Sequence, residues 1–258
     1  MARKVNLNSD MGEGFGAYDI GNDTPLLDII NSANVACGFH AGDPNVMDRV
    51  CKQAKAKGVS IGAHPGFNDL WGFGRRAIPM PAGDVERMVI YQIAALQGMA
   101  GANGASVTHV KIHGALSNMA AVDLDLAMAI ARGIKAVDPT LIFLVPIASE
   151  LLAAARKSGL SHASEVFADR TYADDGNLTP RSKPNAMVHD PAEAVARVLR
   201  MVEDQEVVST NGTRIPCRVD SICVHGDGPT AVEVATAVRD GLRAGGVSTV
   251  PLPDMDLS

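Results

Sequence analysis

Five short segments of this chain set an ionisable side chain beside glycine: Asn8-Ser-Asp-Met-Gly-Glu13, Gly38-Phe-His-Ala-Gly-Asp43, Gly62-Ala-His-Pro-Gly66, His113-Gly-Ala-Leu116 and His225-Gly-Asp227. Glycine lets the backbone turn tightly and lets a ligand come close. The imidazoles His40, His64, His113 and His225, with Asp10, Glu13 and Asp43, are groups that exchange protons near neutral pH or ligate a divalent ion. Asp10, His40 and His64 are the candidate metal set. The spacing is neither HExxH nor HxxxH. The plain alternative for any one histidine is a hydrogen-bonded structural role, and Asp43 and Asp227 each stand where a helix N-cap belongs.

Substrate carboxylates call for guanidinium groups, which bind them through two parallel hydrogen bonds. Gly72-Phe-Gly-Arg-Arg76 offers Arg75 and Arg76, while Arg170 and Arg181 flank a loop containing Gly176. For each, the alternative is a solvated or ion-paired arginine. Asn8, Lys111, Asp169 and Asp227 complete the candidate substrate-binding set. No GxxxxGK[ST] loop occurs, and Gly12-Glu-Gly-Phe-Gly16 has the wrong glycine spacing for a dinucleotide turn. ATP, if bound, therefore sits without a P-loop, for instance at the N-terminus of the helix after His225-Gly-Asp227. No GxSxG elbow supports a nucleophilic triad.

These residues need elements to hold them. Apolar runs are expected as strands at Val5 to Asn8, Asn34 to Gly38, Val59 to Ala63, Val107 to Ile112, Leu141 to Val145, Glu165 to Ala168 and Val219 to Val224. Between them lie helical faces such as Val46, Val50 and Ala54, or Val85, Val89, Ile93 and Leu96. Asp43-Pro44 and Asp190-Pro191 read as N-cap plus first-turn proline, Pro229 opens the last helix, and Gly58 and Gly245 close theirs. Val207 to Ile215, centred on Asn211-Gly212, reads as a hairpin. Repeated strand-helix alternation implies parallel strands. Because polar residues follow nearly every strand, the expectation is a TIM-like, seven-stranded distorted α/β barrel, which gathers all strand ends into one ring. His109, His162 and His189 precede strands or helices and are expected at the stability face.

The chain has 258 residues, 47% of them apolar, and a net charge of −6, which fits one domain spanning 1–258 and disfavours nucleic acid or anionic membranes as partners. No apolar stretch is long enough to span a bilayer, and Met1-Ala2-Arg3-Lys4 leads straight into an alternating segment. Cys37, Cys51, Cys217 and Cys223 form no CxxC pair. A cytoplasmic protein with reduced cysteines is expected.

Leu7 to Glu13, Asn34 to Pro44, Ile61 to Gly66, Gly72 to Arg76, His113 to Asn118, Phe167 to Tyr172 and Cys223 to Asp227 occur in the order seen in the LamB/YcsF family, which the whole chain resembles. The resemblance implies a distorted barrel of the glycoside hydrolase/deacetylase type. It further implies the A subunit of an ATP-dependent 5-oxoprolinase that opens 5-oxo-L-proline to L-glutamate with partner B and C subunits and Mg-ATP. Ile112 and Ser117 stand where the family has Pro and Tyr, and Ser9 where it has Cys, so thiol chemistry at that position is excluded. On this reading Asp10, Glu13, His40, His64, His113 and His225 form the acid/base ring, with a divalent metal left open. Two other readings are a metal-dependent carbohydrate N-deacetylase and a non-catalytic ligand-binding subunit. The residues leave open which subunit takes ATP and whether the chain forms a homo-oligomer.

Overall fold

The computed structural model describes residues 3–225 and 230–257. Asp227 and Pro229 lie outside the described residues, while the helix whose N-terminus is suggested for ATP begins at Ala231. Strands β1 (Lys4–Met11), β2 (Ser32–Ala36), β3 (Ser60–His64), β4 (Val107–Lys111), β5 (Ile142–Pro146) and β6 (His162–Phe167) pair in chain order, all parallel. Strands β7 (Glu206–Val208) and β8 (Arg214–Pro216) form the expected hairpin. The next strand, β9 (Ser221–Cys223), pairs with both β6 and β1 and closes a seven-stranded barrel. A short β10 (Ser248–Thr249) adds to the first residues of β1.

Helices α1 (Asp23–Leu26), α2 (Pro44–Lys57), α3 (Ala82–Ala102), α4 (Gly114–Ala120), α5 (Leu124–Val137), α6 (Glu150–Ser158), α7 (Pro191–Asp204) and α8 (Ala231–Ala244) fill the connections. Their limits follow from local chemistry. The Asp43 carboxylate accepts from the amides of Asn45 and Val46 at 2.8 and 3.0 Å, Pro44 opens α2, and Gly58 ends it at φ 69°. A cap of this kind stabilises by about 1 kcal/mol. Asp190 caps α7 in the same way. The apolar faces of α2, α3, α5 and α7 bury against the outside of the barrel, where Val50, Ile93, Ile130 and Val198 are almost wholly shielded.

The barrel interior is built differently. Alternation along β1 turns Asn6, Asn8 and Asp10 inward. At the lowest level Asn6 donates to Ser32 Oγ at 2.7 Å and accepts from Ser221 Oγ at 2.7 Å, and Ser32 bonds Ser60 at 2.6 Å. Ile142, Leu144, Ala163 and Leu252 plug the remainder. One level up, Asn34 donates to Asn8 at 2.8 Å and its oxygen meets His109 Nε2 at 3.0 Å. A buried polar layer is tolerable because its members satisfy one another.

This network explains two departures from expectation. Strand β2 begins at Ser32, two residues before Asn34, because Ser32 and Asn34 both face inward and are bonded there. His109 lies within β4 and points into the barrel; it does not precede a strand, although its role is structural. It fits because β3 presents Gly62 opposite: a Cβ there would lie 2.2 Å from the ring. Gly62→Ala is expected to cost roughly 1–3 kcal/mol by overpacking, read as a lower denaturant midpoint. An unchanged midpoint would mean that the ring has room to move.

Candidate active site

The C-terminal ends of the strands open into a cavity of about 630 Å³. Asp10 and His64 belong to the last residues of β1 and β3, Lys111 ends β4, and His113 directly precedes α4. His64 Nδ1 donates to the Lys111 carbonyl at 2.8 Å, and His113 Nε2 donates to the Phe73 carbonyl at 2.8 Å. Those carbonyls can only accept, so each neutral ring keeps its lone pair on the other nitrogen. These two nitrogens, His64 Nε2 and His113 Nδ1, face each other at 3.0 Å. Two lone pairs that close repel unless a proton is shared or a cation stands before both.

More donors converge here. Glu13 Oε1 lies 3.5 Å from both His40 Nε2 and His113 Nδ1, and Asp10 Oδ2 lies 3.3 Å from His64 Nε2. The His40 ring stacks on His113 at 3.6 Å between centroids, wholly buried, and neither of its nitrogens has a hydrogen-bond partner among the described residues. Ligand atoms of Glu13, His40, His64 and His113 all fall within 4.8 Å of one another. Neutral imidazoles with unshared lone pairs beside a carboxylate fit a borderline transition ion. The set contains His40 and His64 as expected, with Glu13 and His113 added. Asp10 stands beside it, turned toward Lys111.

Phe73 supplies more than a carbonyl. It sits at φ 53°, uncommon for a bulky residue, with its ring edge-on to both His40 and His113 and the Arg75 guanidinium over its face at 4.9 Å. The Gly72-to-Arg76 segment is therefore a clamp on the imidazole pair. Gly74 makes the close approach possible, since a Cβ there would lie 2.7 Å from that of His40.

A second group surrounds Lys111. Its ammonium lies 3.0 Å from Asp10 Oδ1, 2.9 Å from Glu165 Oε1 and 3.0 Å from Cys223 Sγ. Burial opposes its charge, but Asp10, Cys223 and Glu165 outweigh that and hold its pKa well above the usual value. Burial likewise pushes Asp10 up, and His64 and Lys111 reverse this, leaving it ionised well below the usual range. Lys111 thus acts as a fixed cation among residues that would otherwise attract a free one. Across the cavity, His225 Nδ1 lies 2.7 Å from Asp169. Burial lowers the His225 pKa but the Asp169 carboxylate more than compensates, so it is raised; against the same burial, His225 lowers that of Asp169.

Other expected ligand-binding residues divide. Arg75, Arg170 and Arg181 line the cavity. Arg170 is buried, which lowers its pKa to about 10, and it donates to the carbonyls of Thr179 and Ala186 at 2.7 and 3.3 Å, bracing the loop before α7. Arg76 is held by Asp69 and does not line the cavity. Asn8 lies one level below, donating to Glu165 and Ser221 at 3.0 and 2.8 Å. Sequence patterns alone miss Glu165 and Phe73. A carboxylate in mid-strand, within His162-Ala-Ser-Glu165, is the one signal that points to the former.

Burial lowers the pKa of His40 and His113 well below 6.5 and that of His109 to about 3. The unfolded chain therefore binds protons first as pH falls below 6.5. Stability should drop there by up to about 1.4 kcal/mol per pH unit for each histidine. His225 has the opposite sign: its contribution is complete below its unfolded pKa and is lost as pH rises through the raised folded one. Denaturant melts between pH 7.5 and 5 in chelating buffer check this; a flat profile would contradict neutral, buried rings.

The sequence profile of the LamB/YcsF family matches residues 5–256. The 5-oxoprolinase A subunit of Rhodopseudomonas palustris is 54% identical over 249 residues, 96% of this chain and 98% of that one. That of Azorhizobium caulinodans is 50% identical over 247 residues, with coverage of 96% and 98%. Among solved structures, the lactam utilization protein from Thermus thermophilus superposes with a TM-score of 0.91 at 43% identity, covering 96% of this chain and 100% of that chain. The catalytic domain of peptidoglycan N-acetylglucosamine deacetylase from Eubacterium rectale gives 0.54 at 13% identity, covering 100% and 92%, a likeness of fold alone.

Proposed function

The chain belongs to the LamB/YcsF family, and from that premise we propose that it is the A subunit of an ATP-dependent 5-oxoprolinase, opening the lactam of 5-oxo-L-proline to L-glutamate together with B and C subunits. The observation that carries the reading is the convergence of Asp10, Glu13, His64 and His113, with His40 stacked on His113, on a cavity far larger than one small lactam.

A lactam is a stable amide, so hydrolysis needs an activated water, a polarised carbonyl and a proton for the departing nitrogen. The lone pairs of His64 and His113 accept the proton of water, with the Phe73 and Lys111 carbonyls fixing the tautomers. Lys111 places positive charge where the carbonyl oxygen becomes negative. His225, kept protonated by Asp169, donates to the leaving nitrogen. Arg75 and Arg181 lie where they can hold the substrate carboxylate. Glu13, His40, His64 and His113 would hold a divalent ion, which when bound makes water more acidic and polarises a carbonyl. Coupling to Mg-ATP is assigned to the complex.

The same donor set favours a metal-dependent carbohydrate N-deacetylase as the second reading, but the identity to 5-oxoprolinase A subunits weighs against it. Among the described residues no helix is long and apolar enough to cross a membrane; we place the protein in the cytoplasm. The test is ATP-dependent glutamate release from 5-oxoproline by this chain alone, by B and C alone, and by all three. Release only from the full mixture is expected. No release with folded partners, and sugar deacetylation by the chain alone, would overturn the assignment.

A further inference from the structure

Glu165 has no part in the mechanism above, yet it is wholly buried on β6 and lines the cavity. Its Oε1 is engaged by Lys111 at 2.9 Å and Asn8 at 3.0 Å, while its Oε2 is buried without a hydrogen-bond partner among the described residues. A buried carboxylate oxygen left unbonded is costly, and such atoms in a site call for a ligand donor. Two residues on, along the same face of the strand, Phe167 lies under the Lys111 ammonium at 5.3 Å and stacks on His225 at 5.7 Å between centroids. The arrangement presents a hydrogen-bond acceptor, an apolar plate and, beside them, an ammonium with three protons, one of which is held only by the weakly accepting Cys223 sulfur and can turn to a ligand.

An open-chain secondary amide is trans, with N–H and C=O on opposite sides. A five-membered lactam cannot be trans: its N–H and C=O lie on one edge, with methylenes behind. We propose that Glu165 and Lys111 together read this cis-amide edge, Glu165 accepting from the ring N–H and Lys111 donating to the ring carbonyl, while Phe167 packs against the methylenes. A linear amide satisfies only one partner at a time, and the opened product no longer has the edge. Glu165 is thus a specificity residue for cyclic amides. The inference rests on the proposed lactam substrate and adds to it the means of recognition.

The lactone acid in which oxygen replaces the ring N–H keeps the carbonyl, the ring and the carboxylate but has no hydrogen for Glu165. Calorimetric titration of the full chain with 5-oxoproline and with this lactone should show the lactam bound roughly 10- to 100-fold more tightly, the range for a hydrogen bond to a charged group. Glu165→Ala should bring the two within about threefold of each other. Glu165→Gln can accept the N–H only by turning its amide NH2 onto Lys111, so it should fall between. Thermal melts confirm that the variants fold, and the wild-type comparison needs no variant. Equal binding of lactam and lactone by the wild type, or a preference that survives both substitutions, overturns the inference and leaves the proposed function standing. Binding of neither ligand overturns it too, and glutamate release by the assembled complex, assayed in parallel, then decides whether the proposed function falls with it.

Discussion

Replacing His113 with alanine should lower turnover by the assembled complex roughly 10²- to 10⁴-fold, the contribution of a placed acid/base group. The ring is held on three sides: Nε2 on the Phe73 carbonyl, one face on His40, and Nδ1 toward His64 and Glu13. Its loss removes one inward lone pair and frees the His64 ring to tilt. His64→Ala should cost about as much, and the double variant little more, because the two nitrogens act as a unit. The drop should appear in kcat, with KM for 5-oxoproline changed much less, since in the proposed function the carboxylate and the lactam edge are assigned to other residues. Steady-state kinetics with saturating B and C subunits measures this. Activity within tenfold of wild type, or strictly additive losses, would remove the imidazole pair from the chemistry.

Lys111→Met is expected to be the most destabilising substitution in the barrel, by about 3–5 kcal/mol, the cost of breaking a buried ion pair by removing one partner. The methylene stem is kept, so packing changes little. The loss is electrostatic: Asp10 and Glu165, 3.0 and 2.9 Å from the ammonium, stay buried without it. Their pKa values in the folded variant then rise, so the folded state binds more protons than the unfolded one and stability recovers as pH falls. The difference from wild type should therefore be smaller at pH 5 than at pH 8. Adding Glu165→Gln should restore part of the loss at neutral pH. Denaturant titrations of the four proteins form a double-mutant cycle. A pH-independent loss with no coupling would mean that Lys111 acts through packing.

Much of this was legible in the sequence because a barrel turns order along the chain into a ring. Asp10, His64 and His113 could be singled out as each follows or ends an apolar run and has glycine nearby, and the ring of strand ends brings them together. Residues acting from inside the barrel were harder to see. Glu165 was masked because β6 begins in His162-Ala-Ser, where the polar His162 and Ser164 break the apolar signal ahead of it. Cys223 reads as a small hydrophobe until Lys111 is found against its sulfur. The clamp on His113 uses a backbone carbonyl, which no side-chain pattern encodes. Arg76 shows the reverse limit: its type suggested a ligand, but Asp69, seven residues earlier, already holds it.

Strand β1 is bonded to β2, to β9 and to β10, the latter two formed by residues 221–223 and 248–249. A ribosome adding about 5–20 residues per second therefore delivers the first strand long before its last partners. Until then Asp10 and the inward asparagines of β1 have one open flank, with their backbone amides and carbonyls exposed along an unpaired edge. The chain must wait for β9 before the ring can shut, a high-contact-order route that is slow and prone to wrong pairing. Growing cells that synthesise this protein thus carry, for each nascent copy, a half-made sheet that needs shelter from its neighbours.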